Sequence, residues 1–177
     1  MTKCIAAPLS RQQIRNVARV IRKLDGTDNK LYFDIVRFME IKLPRLISSF
    51  TLIIEERSAL GECHGLTYPD RNEIHIREDV YERALTGSGR DRLTMAHELF
   101  HLLQHEKNNI SYARIKSESD IEPFRDPEWQ ADAFGGELLM PAHLIYNMSA
   151  DEIADKCKVS HKAASYQLSK CRNLYVG

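Results

Sequence analysis

The chain has 177 residues, 43% of them apolar and 28% charged, with 25 Lys and Arg balanced by 25 Asp and Glu. That length suffices for one domain with a substantial core, and the composition is ordinary for a globular protein. Zero formal net charge leaves no overall electrostatic case for a nucleic-acid or membrane-surface partner, and no apolar run is long enough to span a bilayer.

The N-terminal run Met1 to Pro8 carries one basic residue and too short an apolar segment for a signal peptide. Cys4, Cys63, Cys157 and Cys171 form no Cys-x-x-Cys pair, which suits reduced thiols in a cytoplasmic protein. Cys63-His64 has no second cysteine at ligand spacing and is not read as a metal site.

Ser10 to Leu24 has the pattern of an amphipathic helix. Ser10 can cap it, and Ile14, Val17, Ala18, Ile21 and Leu24 fall on one stripe. Arg11, Arg15, Arg19, Arg22 and Lys23 line the other side and read as a solvated face rather than a docking surface. Asp25-Gly26 stops this helix. A second is expected over Lys30 to Ile41, with Ile35, Val36, Phe38 and Met39 inward and Leu43-Pro44 ending it.

Short strands are expected next, at Phe50 to Glu55, His64 to Tyr68 and Glu73 to Arg77, with a turn at Pro69 to Asn72. In the last strand Ile74 and Ile76 share one face and His75 takes the other. A short helix over Asp79 to Leu85 and a flexible link, Thr86 to Gly89, lead into the central stretch.

That stretch is Thr94-Met95-Ala96-His97-Glu98-Leu99-Phe100-His101-Leu102-Leu103, within a helix expected from Asp91 to His105. Residues four apart on a helix lie about 6 Å apart along its axis and on one face, so His97 and His101 can share one zinc ion. Glu98 follows the first histidine, the position of a general base for hydrolysis. His105 falls about 12 Å from His97 along a straight helix, too far to share the ion. The long polar segment Glu106 to Asp126 is a candidate lid or recognition loop, with Tyr112 and Arg114 as candidate substrate contacts.

A second block, Pro127-Glu128-Trp129-Gln130-Ala131-Asp132-Ala133-Phe134, reads as a helix with Asp126 as N-cap and Pro127 in its first turn. Glu128 and Asp132 share a face. Alone they would be a solvated acidic surface. Beside His97 and His101, Glu128 can complete a His, His, Glu set, and Asp132 can accept the free N–H of a ligand histidine. Leu138, Leu139 and Met140 read as core before Pro141. In the tail, Ser149 and Ser160 cap two helices whose apolar spacing resembles a helix-turn-helix, with Lys158 where the turn glycine usually stands. The charge here is mixed, so DNA binding is the weaker reading of the pair.

The order Ala-His-Glu-Leu-x-His-Leu-Leu-x-His (Ala96 to His105), Glu-x-x-Ala-Asp-x-Phe (Glu128 to Phe134) and Glu-Leu-Leu-Met-Pro (Glu137 to Pro141) resembles the ImmA/IrrE family of bacterial metallopeptidases. The likeness runs from about Gly61 to the end and only loosely before it. Gly135-Gly136 departs from the small alanines usual there. The resemblance implies an α+β, zincin-like fold: a small antiparallel or mixed sheet, an active-site helix, a second ligand-bearing helix and a helical tail packed on the catalytic part. It implies one Zn2+ per chain on His97, His101 and Glu128, with Glu98 as catalytic base. By analogy with zincins, the Glu73 to Arg77 strand (Ile74, His75, Ile76) would hold an extended peptide. His75, Tyr112 and His143 stay open as oxyanion-stabilising groups. The domain expectation is a single unit, with N-terminal helices over 1–48, sheet and zinc-site helices over 49–141, and a tail over 142–177. The implied partner is a helix-turn-helix repressor or antitoxin encoded nearby, cut at a specific site; the rival reading is a docking module, binding protein or DNA, on an inactive zincin scaffold.

Overall fold

The computed structural model describes residues 2–104, 110–114 and 122–171, with the backbone alone at residues 2, 3 and 110–114. His105, Arg172, most of the 106–121 segment and the side chains of Tyr112 and Arg114 lie outside the described residues.

The chain opens with strand β1 (Thr2–Ala6) and helix α1 (Arg11–Asp25). Ser10 and Gln13 cap the helix reciprocally, each side chain accepting the other's backbone N–H. Gly26, at φ 77°, ends it in the left-handed region. Ile14, Ala18 and Ile21 are buried, whereas Leu24 is exposed, so the apolar stripe stops one turn early. The basic side is not simply solvated. Arg22 is fully buried and donates to the carbonyls of Leu138, at 2.6 Å, and Thr27, at 3.0 Å, and also to that of Lys30. Burial lowers its pKa to about 10. By claiming these carbonyls it favours a non-helical path over residues 27–34, where helix was expected from Lys30 onward.

Helix begins instead at α2 (Ile35–Arg37), capped by Asp34, and continues through a π-helical turn over Phe38–Lys42 into α3 (Leu43–Leu46). The Leu43 N–H reaches back five residues to Phe38, so the turn is widened just before Pro44 and the helix passes through it. Then come β2 (Thr51–Glu55), α4 (Arg57–Leu60), β3 (Gly65–Tyr68) and β4 (Glu73–Arg77). They form a mixed sheet in the order β2-β4-β3, with β2 parallel and β3 antiparallel to β4.

This order corrects one expectation. Glu73 to Arg77 is the middle strand, paired on both sides, and has no backbone edge for a peptide. Ile74 and Ile76 are fully buried in the core. His75 faces away and is held between Glu55, 2.9 Å from Nδ1, and Glu73, 3.3 Å from Nε2. Among the described residues nothing pairs with the outer edge of β3.

Helices α5 (Glu78–Leu85) and α6 (Gly89–Gln104) follow. Thr86 and Gly87 in the link between them are exposed, but its last residue is packed: a Cβ on Gly89 would fall 2.5 Å from the Val159 Cα. Strand β5 (Ile110–Arg114) then pairs antiparallel with β1, Cys4 opposite Tyr112, so part of the expected loop is strand.

Helix α7 (Pro127–Leu139) runs unbroken through Gly135-Gly136. It packs across α6, where the Phe100 and Phe134 ring centroids are 4.8 Å apart, and against α1, where Glu137 lies between Arg11 and Arg15 at 3.0 and 2.9 Å. The tail is α8 (Ala142–Ile145), α9 (Ala150–Cys157) and α10 (His161–Cys171). Lys158 turns the last pair at φ 54°, a conformation unfavourable for a residue with a side chain. Buried Arg92 helps to hold that turn, donating to the carbonyls of Cys157, Lys158 and Phe33 at 2.8, 2.6 and 2.7 Å. Among the described residues no helix is long and apolar enough to cross a membrane.

Candidate active site

Two helices and one strand build the site. On α6, Met95, Ala96, Leu99 and Phe100 are fully buried, and this apolar packing fixes the helix about its axis. His97 and His101, one turn apart, then face α7 together, with ring centroids 4.7 Å apart. On α7, Asp126 accepts the Glu128 backbone N–H at 3.0 Å and sets the first turn, from which Glu128 and Asp132 project toward the histidines.

His97 Nδ1 pairs with Asp132 Oδ1 at 2.8 Å, leaving Nε2 toward the cleft. That nitrogen lies 2.9 Å from His101 Nε2 and 3.2 Å from Glu128 Oε2, and His101 Nε2 lies 3.5 Å from Glu128 Oε1. The ligand atoms of His97, His101 and Glu128 all fall within 4.8 Å of one another. One proton cannot bridge three such atoms, whereas a single cation can contact all of them. Two imidazole nitrogens and a carboxylate oxygen suit zinc and leave coordination open. The site is electronegative: burial pulls the His97 pKa down, but the bonds to Asp132 and Glu128 outweigh it and raise it to about 10.

Glu98 is buried at 8% exposure and packs against β3, beside the cleft that His97 also lines. Thr67 Oγ1 lies 2.6 Å from Glu98 Oε2, donating to it, and 3.1 Å from the Glu98 carbonyl oxygen. Gly65 supplies clearance, since a Cβ there would stand 2.7 Å from Glu98 Cγ. Burial pushes the Glu98 carboxyl above its usual range, against the pull of Thr67 and of His97. Sequence reasoning missed both residues. Their i, i+2 spacing puts Gly65 and Thr67 on one face of a strand but does not say that this face meets Glu98.

Two cavities meet at Glu98. One, about 340 Å³, is bordered by Leu66, Thr67, Pro69, His101 and Glu128; the other, about 820 Å³, opens between α6, α7 and α10; Gly65, His97 and Glu98 line both. Ile74, His75 and Ile76 line neither. His143 is also elsewhere, bonded to the Asp28 carbonyl at 2.9 Å.

A family model described as Peptidase_M78, the IrrE N-terminal-like domain, matches residues 51–169. The chain belongs to this peptidase family. In this IrrE-like peptidase the match runs from β2 into α10, so it takes in the sheet, both site helices and the tail, and leaves β1 and α1 to α3 outside. It starts about ten residues before Gly61, from which the likeness was expected to run. No curated protein matches the chain.

Proposed function

We propose that this IrrE-like peptidase is a zinc-dependent endopeptidase. One observation carries the reading: three ligand atoms from two helices converge within 4.8 Å, beside a buried glutamate held by a strand hydroxyl. His97, His101 and Glu128 would hold the ion, which when bound supplies Lewis acidity toward water and a peptide carbonyl. Asp132, accepting from His97 Nδ1, leaves Nε2 as the ligand atom. Glu98 takes a proton from the attacking water and passes it to the leaving amine, and its raised pKa suits both steps. Thr67 positions that carboxylate. The outer edge of β3, which pairs with no strand among the described residues and lies next to Glu98, offers backbone groups to an extended substrate, the part first assigned to β4.

The family resemblance supports a helix-turn-helix repressor or antitoxin as substrate, and free cysteines suit a cytoplasmic setting. The test combines the purified chain with the helix-turn-helix regulator encoded beside it. Glu98→Gln is expected to retain metal and lose cleavage; cutting at the wild-type rate would refute the base assignment. Full derepression by Glu98→Gln in cells would favour docking over proteolysis.

A further inference from the structure

We propose that the larger cavity seats a bulky apolar side chain of the substrate next to the scissile bond, and that α10 is its selecting wall. The inference rests on the peptidase reading above and adds what the substrate must present.

The cavity adjoins the chemistry. It shares Gly65, His97 and Glu98 with the smaller one, so a peptide carbonyl placed beside Glu98 puts a neighbouring side chain at its mouth. Its volume of about 820 Å³ falls within the range of ligand pockets and admits a large side chain with adjoining backbone. Leu93, Met140, Ala163, Gly135 and Gly136 give it an apolar interior. Of its charged lining groups, Arg90, Asp132 and Lys162 are on exposed residues, and Glu98 is buried where the two cavities meet. An acidic side chain entering this interior would lose water beside the Glu98 carboxylate, with no buried lysine or arginine among the lining residues to pair with.

The glycine pair has a role in this shape. Glycine is disfavoured within a helix, yet α7 runs through both. Packing does not require Gly135, because a Cβ there would meet Leu93 and Ala96 no closer than 3.5 Å. What its missing side chain leaves is space in the floor. Gly136 differs, since a Cβ would stand 2.7 Å from Gln167 Oε1. Gln167 ties the wall down: Arg11 donates to its Oε1 at 2.6 Å, and its Nε2 donates to the Met140 carbonyl at 3.3 Å. So α10 is fixed to α1 and α7 while Ala163 and the 55% exposed Tyr166 face the cavity. The second helix of a helix-turn-helix-like pair is thereby turned to lining a substrate cleft.

The test uses zinc-loaded full-length chain and dipeptide hydroxamates that share one metal-binding group and differ in a single side chain: glycine, leucine, phenylalanine or aspartate. Calorimetry is expected to show the leucine and phenylalanine compounds binding about tenfold tighter, or more, than the glycine compound, and aspartate no tighter. Ala163→Phe, which fills the cavity from its wall, is expected to abolish the preference. Tyr166→Ala, at an exposed position that folding tolerates, is expected to weaken the phenylalanine compound more than the glycine one. Equal affinity across the series would overturn the pocket while leaving the metal site standing. No binding by any compound to zinc-loaded protein would overturn the peptidase reading with it.

Discussion

Gly65→Ala tests whether β3 sets the position of Glu98, the proposed base. Gly65 is not in the left-handed region, so the substitution adds a methyl group without backbone strain. That methyl would lie 2.7 Å from Glu98 Cγ and 3.1 Å from its Cδ and Oε1. Ordinary contact begins near 3.4 Å, so Glu98 must move by about 0.7 Å or turn away, and its 2.6 Å bond from Thr67 lengthens or breaks. Displacements of about 1 Å in a reacting group can cost roughly a hundredfold in rate. The expectation is therefore a fall in kcat of about that size, with metal content kept because the three atoms nearest the added methyl all belong to Glu98. The assay is single-turnover cleavage of the proposed regulator substrate, with metal analysis of the same sample. A Gly65→Ala enzyme that cuts at the wild-type rate would refute the claim that this clearance matters.

Other perturbations separate the remaining parts of the account. Thr67→Val removes a bond that favours ionised Glu98, so the acidic limb of the kcat/KM profile should move to higher pH; an unmoved limb would contradict a positioning role for Thr67. Glu137→Ala strips Arg11 and Arg15 of a fully buried counter-charge, and urea unfolding should show a loss of about 3 kcal/mol; a change below about 1 kcal/mol would mean water replaces the pair. In chelator-treated protein the raised His97 pKa gives stability that is complete below pH 6.5 and lost as pH rises through about 10. Melting temperature should fall across that window in the wild type and less steeply in Asp132→Asn, and parallel curves would contradict the pairing.

Much of the site was legible because its logic is local. An i, i+4 pair on a helix meets whatever the surroundings, and the caps at Ser10, Asp126 and Ser149 follow from side chains within three residues of the groups they bind. Strand order is not local. Alternation at Ile74, His75 and Ile76 tells which face each takes, but not that strands lie on both sides of them. Thr67 and Gly65 meet Glu98 across more than thirty residues, a contact that no spacing rule predicts. Arg22 and Arg92 fail the polar-outward rule because carbonyls freed at turns give their guanidinium groups buried partners. Pro44 fails as a helix stop because a π turn precedes it. The β1–β5 ribbon joins two short segments far apart in the chain, neither with a strong strand pattern.

The most direct test of the central claim is the metal content of the purified chain after zinc reloading, measured by mass spectrometry beside His101→Ala and Glu128→Ala. About one zinc per wild-type chain, lost or weakened in both variants, is the predicted result. Full occupancy in Glu128→Ala would contradict the three-residue site, and with it the pairing of the two helices on which the proposed chemistry depends.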